Sequence, residues 1–300
     1  MPVLQTHQNL DFSSAFSFQK TIPIAPRESP GLNIPDGFYE QGFAVFDEVA
    51  SSASAKEHIE QFIGSVDTKR LPLYARFAGR IQLASETLIP TCKSIVETTF
   101  QGLHFDMGLP IVSPSPQVVQ LVLALYRPYD KPISDAATRV VGLRTLLSQR
   151  NWPEGDALEK RLVTYVEKHG DGWEKPMRVN TFRIACFARI IDAADDVEDL
   201  KTLRDCATGL EFRDPENNQE KSLSNEYGFF QSHGLNVKAV ESQIQLQHGQ
   251  LLIIDNTCAV HGRIGRREPQ EMMHYLYGIP HASPEDINCV RYALLDQFVQ

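Results

Sequence analysis

The chain has 300 residues, 42% of them apolar and 22% charged, with a formal net charge of -9. That length and balance describe an ordinary soluble globular protein with room for a large core. The acidic surplus argues against a general nucleic-acid binder and disfavours an anionic membrane surface, since both partners present phosphates that need a basic face.

No apolar run reaches the length of a membrane span. Met1 to Thr6 carries no basic segment followed by an apolar one, so no signal peptide is expected. Five cysteines (Cys92, Cys186, Cys206, Cys258 and Cys289) without a CxxC spacing read as reduced thiols of a cytoplasmic protein.

Residues 1–36 are polar and hold Pro23, Pro26, Pro30 and Pro35, an extended leader expected to wrap the body. Gly42 to Phe46 reads as a short strand. Ser54-Ala55-Lys56-Glu57 has capping-box spacing, and Ile59, Phe62 and Ile63 recur behind it at helical intervals. Pro90 is placed to start another helix towards Phe100. Leu103 to Met107 alternates as a strand does and ends at Gly108. Gln120 to Tyr126 is the clearest buried strand, stopped by Pro128, and Thr138 to Leu143 is a further one.

Residues 156–168 place Leu158, Leu162, Tyr165 and Val166 on one helical stripe. Val179 to Ile191 is rich in branched residues and reads as a strand. The acidic stretch 193–227 reads as an insertion or a lid with a helical piece near its start. Four short strands follow: Ser242–Leu246, Leu251–Ile254, Ala259–His261 and Tyr275–Tyr277. Turns at His248-Gly249, Asp255-Asn256 and Gly265-Arg266 separate them. Short strands at close spacing, with helices mostly before them, predict a mixed α+β fold. Its core is a double-stranded β-helix, or jelly roll, buttressed by helices in a single domain over 1–300.

The chemistry is concentrated in two places. In a strand, residues i and i+2 share a face, so His104 and Asp106 project together while Phe105 points the other way. His261 lies on a late strand, inside Asp255-Asn256-Thr257-Cys258-Ala259-Val260-His261-Gly262-Arg263. Two imidazoles and a carboxylate can hold one face of a ferrous ion and leave the other open. The remaining histidines sit in the leader, by helices or by turns, except His274, which lies on a late strand and rivals the first three. Asp255-Asn256 is expected to fix the turn before His261 rather than to react. Tyr126, Arg183 and Arg189 are open to either an inward or a packing role. No Gly-rich phosphate loop and no nucleophile with an evident base is present.

On His104-Phe105-Asp106, Leu251 to Asn256 and Val260-His261-Gly262-Arg263, the chain resembles the iron(II)/2-oxoglutarate-dependent oxygenase superfamily. The likeness is closest to the clavaminate-synthase-like and taurine-dioxygenase-like branch, over roughly residues 100–280. The resemblance implies His104, Asp106 and His261 as iron ligands, with 2-oxoglutarate and dioxygen as co-substrates. It also implies oxidation of a C–H bond of a small metabolite, an amino acid or a derivative, by hydroxylation, desaturation or ring formation. Halogenases of this type usually lack the carboxylate ligand, so Asp106 speaks against halogenation.

One departure concerns the far carboxylate of 2-oxoglutarate. The family places an arginine on the strand after the distal histidine, where this chain reads Met272-Met273-His274-Tyr275-Leu276-Tyr277. A buried dianion still needs a bidentate cation. Thr138, Arg139, Arg263 and Arg267 are the candidates, with Arg266 beside them in a turn. Three alternatives stay open: an iron oxidase that does not use 2-oxoglutarate, a zinc hydrolase on the same ligands, and a barrel that only binds a ligand. The expected partner is a small molecule, with neither nucleic acid nor membrane.

Overall fold

The computed structural model describes residues 32–89, 99–105, 118–152, 182–192, 212–268 and 270–295. The leader up to residue 31, the helix expected from Pro90, the 156–168 helix and residues 193–211 of the acidic stretch lie outside them. The described helices are α1 (Asp36–Gln41), α2 (Ser52–Ser65), α3 (Pro72–Arg76), α4 (Leu143–Leu147), α5 (Ile184–Asp192), α6 (Gln219–Ser232), α7 (Val237–Val240) and α8 (Pro284–Leu295). The strands are β1 (Phe43–Phe46), β2 (Gln82–Ile89), β3 (Phe100–Phe105), β4 (Val118–Tyr126), β5 (Ala137–Gly142), β6 (Phe182–Arg183), β7 (Ser242–Ile244), β8 (Leu251–Asp255), β9 (Ala259–Ile264) and β10 (Met272–Pro280). No helix among the described residues is long and apolar enough to cross a membrane.

The strands form two five-stranded sheets with antiparallel pairing, β1-β8-β4-β10-β2 and β6-β3-β9-β5-β7. Alternation along the strands divides each sheet between two environments. Leu123, Leu125, Leu252, Ile254, Met272 and Leu276 of the first sheet pack with Val140 and Ala259 of the second in one cluster. This is the layer between the sheets. The intervening residues Tyr126, Ile253, Tyr275 and Tyr277 belong instead to the larger core that includes Ile59 and Phe62 of α2. β8 and most of β4 are buried on both faces, which is why their sequences are continuous apolar runs.

Local chemistry sets the element ends. α2 starts three residues before the expected capping box. Ser51 is extended and its hydroxyl accepts the Ser54 N–H at 3.1 Å, which puts Ser54 inside the first turn. α1 stops at Gly42, whose φ of 75° lies in the left-handed region and whose N–H donates to Phe38 O at 2.7 Å.

The branched stretch after Val179 differs from expectation. Only Phe182–Arg183 is strand, and Ile184–Asp192 is helix. Ile184, Ala185 and Ala188 are buried at helical spacing, so tertiary packing overrides the strand propensity of the branched residues. The later part of the acidic stretch forms α6, which packs on β3 with Ser222, Glu226 and Phe230 buried.

Candidate metal centre

His104 of β3 and His261 of β9 are register partners. Their rings face each other with centroids 4.3 Å apart and planes tilted by 50°, and both side chains are buried. The register explains how they meet. Gln101 pairs with Arg263 and His104 with His261, so three steps on β3 oppose two on β9. The extra residue is a β-bulge, and it brings Gln101 and His104 onto one face although they are three apart.

Gly262, between the two inward residues of β9, is required by this close approach. A Cβ there would lie 2.5 Å from the Gln101 carbonyl oxygen. The His-Gly-Arg order is therefore a packing demand of the bulge as well as a motif.

The bulge also orients the first imidazole. His104 Nδ1 lies 2.9 Å from the Gly102 carbonyl. A carbonyl only accepts, so Nδ1 carries the hydrogen and Nε2 presents its lone pair. Gln101 Nε2 sits 3.3 Å from His104 Nε2, on the side of that lone pair. A backbone carbonyl that fixes the tautomer of a histidine is the usual support of a metal-ligating imidazole.

Asp106, the third ligand expected from the sequence, lies outside the described residues. Among the described residues no group of three or more His, Cys, Asp or Glu side chains could hold a metal ion. The donors in place are thus the two histidines. On the turn before β9, Asp255 Oδ1 accepts the Thr257 N–H at 2.8 Å and the Thr257 hydroxyl at 2.6 Å. Its carboxyl is buried, and burial raises its pKa.

One strand step beyond the imidazoles, Arg263 of β9 pairs with Thr138 of β5. Both are buried. The alternation that turns His261 inward turns Arg263 inward, and Thr138 with it. Thr138 Oγ1 has no hydrogen-bond partner among the described residues.

Arg139 is placed differently. It pairs with Gly262, on the opposite face of the sheet from His261. There it forms ion pairs with Glu226 of α6 and with Glu241, each at 2.6 Å. Burial alone would lower its pKa, but the two carboxylates outweigh burial and raise it. Arg139 is thus paired with two carboxylates and directed away from the histidines.

Arg267 lies past the end of β9. Its Nε is 3.0 Å from Glu271 Oε1, and Nη2 of Arg127 is 3.6 Å from the same oxygen. All three side chains are buried, so one carboxylate serves two guanidinium groups. Burial lowers the pKa of both Arg127 and Arg267. Burial, and next the nearby Arg267, push Arg263 down to about 10. Sequence reasoning missed Arg127 and Glu271. The available signal was the alternation of Leu123 and Leu125, which continues to Arg127.

His274 pairs with Leu125 and shares its face, so it too lies on the side of the first sheet that meets the second. Tyr126 turns the other way and donates to Val49 O at 2.9 Å. Arg189 lies on α5 with its guanidinium 5.0 Å from the centre of the Phe229 ring. The backbone of Arg183 pairs with His104.

No family profile and no curated protein matches the sequence. Among solved structures, the chain is similar to an asparagine oxygenase in complex with Fe(II), hydroxyasparagine and succinate. The identity is 11%, the match covers 82% of this chain and 76% of that one, and the TM-score is 0.36. A taurine dioxygenase from Burkholderia xenovorans is 10% identical, with 86% of each chain covered and a TM-score of 0.35. The PvcB protein from Pseudomonas aeruginosa is 10% identical, with 84% of this chain and 98% of that chain covered and a TM-score of 0.32.

Proposed function

We propose that the protein is a non-haem Fe(II)- and 2-oxoglutarate-dependent oxygenase of the double-stranded β-helix type, acting on a C–H bond of a small metabolite. The observation that carries this reading is the facing pair His104 and His261, with Thr138 and Arg263 one step further along the same face. Two residues along a strand span about 7 Å. A five-carbon dicarboxylate can bridge that distance, with its oxo-acid end at the histidines and its far carboxylate at the threonine and arginine.

The chain's residues fit the implied groups. His104 Nε2 and a nitrogen of His261 would be two iron ligands, and Asp106 the third. Two neutral imidazoles and one carboxylate suit ferrous iron and leave coordination positions open. A ferrous ion held there would couple the oxidation of 2-oxoglutarate to that of the substrate: R–H, dioxygen and 2-oxoglutarate give R–OH, succinate and carbon dioxide. Gly102 O keeps the proton of His104 on Nδ1 and away from the metal side. Thr138 Oγ1 supplies a buried hydroxyl that a carboxylate oxygen would engage, and Arg263 supplies a cation on the same face. The buried apolar layer of Leu123, Leu125, Leu252 and Leu276 would keep water from the space between the sheets. The resemblance of the sequence motifs supports an amino acid or a derivative as the substrate.

The test is anaerobic addition of Fe(II) and then 2-oxoglutarate to the purified chain. The expected result is a visible charge-transfer band that appears only with both, followed by succinate release when oxygen and substrate are admitted. Iron binding with neither band nor succinate would favour an oxidase that does not use 2-oxoglutarate. No iron binding would overturn the reading.

A further inference from the structure

Behind the histidine pair, on the outer side of the second sheet, a carboxylate reaches the bulge. Glu226 lies on α6, more than a hundred residues after β3, and is 1% exposed. Its Oε1 accepts the Leu103 N–H at 2.8 Å. Its Oε2 pairs with Arg139 Nη1 at 2.6 Å. Gly102 leaves the room: a Cβ there would lie 2.8 Å from Glu226 Oε1. The two bulge residues are thus held from opposite sides. Leu103 N–H is taken by Glu226, and Gly102 O takes the hydrogen of His104 Nδ1.

We propose that Glu226 is a positioning residue for His104, holding the β3 bulge so that the Gly102 carbonyl fixes the ring opposite His261. The inference rests on the metal-site reading for its purpose, but not for its geometry. Arg139 sets the carboxylate in turn, since its guanidinium is shared between Glu226 and Glu241. Glu241 supplies the control. It faces the same arginine, at 2.6 Å, and bonds Tyr227 and Gln243, yet has no bond to β3. A glutamine at 226 is uncharged and has one oxygen and one NH2 group, so it cannot pair with the Arg139 cation through one oxygen while accepting the Leu103 N–H through the other. A glutamate at 226 can.

The experiment compares the full-length protein with Glu226→Gln, Glu226→Asp and Glu241→Gln, using Co(II) as the probe. Both position-226 variants are expected to lose about 10- to 100-fold in Co(II) affinity, the range for groups that orient a metal ligand, with an altered visible Co(II) spectrum. Glu241→Gln should keep the wild-type spectrum and bind within about threefold, although it too lowers the thermal midpoint. Aspartate keeps the charge beside Arg139 but is too short for Leu103, so it serves if the amide variant does not fold. Nitrogen NMR of the metal-free protein is the second readout: His104 should be an Nδ1–H tautomer in wild type and a mixture in the position-226 variants. Equal affinity and an unchanged tautomer in the position-226 variants would overturn the inference, as would an equal loss in Glu241→Gln. If wild type binds no Co(II), the metal reading fails and the tautomer comparison alone decides the role of Glu226.

Discussion

Thr138 and Arg263 face each other across β5 and β9, on the face of the sheet that carries His104 and His261. The threonine hydroxyl is buried and has no partner among the described residues. Replacing it with the isosteric valine removes one hydrogen bond to a bound carboxylate and nothing from the empty protein. A hydrogen bond to a charged group is worth about 1.5–3 kcal/mol. Thr138→Val should therefore weaken 2-oxoglutarate binding about 10- to 100-fold. Iron affinity should stay the same, and the thermal midpoint without ligand should be unchanged or higher. Calorimetric titration of the iron-loaded protein with 2-oxoglutarate checks this.

His104→Ala and His261→Ala each remove one of two facing imidazoles. Each should lower Fe(II) affinity more than ~100-fold, beyond the range for residues that only orient a ligand. Both should leave far-ultraviolet circular dichroism as it is, because the strands around them keep their ladder. Metal content after dialysis against limiting Fe(II) reads the difference. Retention of full iron content by either variant would remove that histidine from the ligand set.

Gly262→Ala places a methyl group 2.5 Å from the Gln101 carbonyl oxygen. The clash is with backbone, so β3 and β9 must separate at the bulge. The expected cost is about 1–3 kcal/mol, the range for overpacking a tight interior, seen as a lower midpoint in denaturant. Weaker metal binding should accompany it, since His261 is the preceding residue. Gly37→Ala, where a Cβ meets nothing within 4 Å, should show neither effect.

Asp286, in the first turn of α8, gives a pH dependence. Both its oxygens accept from Arg80, at 2.9 and 2.7 Å, and Oδ2 also accepts the Ser283 N–H at 2.9 Å. The hydrogen bonds from Arg80 hold its pKa well below the ordinary carboxylate value. A depressed folded-state pKa contributes stability above the unfolded pKa of about 3.9 and loses it as pH falls towards the folded value. Asp286→Asn should thus lower the thermal midpoint at pH 7, and the gap from wild type should close as the pH is taken below about 4. A gap that is constant down to acid pH would mean that the aspartate acts by shape alone.

Much of this arrangement is legible in the sequence where one periodicity dominates. The runs at 120–126 and 251–254 read as buried strands because both faces of β4 and β8 are covered. His261 reads as a strand residue because the Asp-Asn turn announces β9. The same alternation already separates Thr138 from Arg139, because neighbours on a strand cannot face the same way.

Other features leave weaker traces. β2, Gln82-Leu83-Ala84-Ser85-Glu86-Thr87-Leu88-Ile89, has no clean alternation, and its pairing with β10 is interrupted by an irregularity between Leu276 and Tyr277. The helix at 184–192 hides behind branched residues. Glu226 sits in a polar stretch, and its burial comes from β3 and Arg139, which are remote in the chain. A bulge has no local signature here beyond Gly102, so Gln101 gave no sign of sharing the face of His104.

The extra residue in β3 has a consequence for what sets the histidines in place. From Gln101 to His104, three steps answer two on β9. A strand one residue shorter, paired regularly, would also bring His104 opposite His261. Facing the two rings is therefore within reach of any ordinary ladder and is not what the additional residue achieves. What it adds is a carbonyl turned towards one ring nitrogen and an amide turned towards the helix behind. The irregularity acts as a handle: it lets the outer layer of the protein fix the angle of a side chain on the inner layer, through a sheet that would otherwise insulate one from the other.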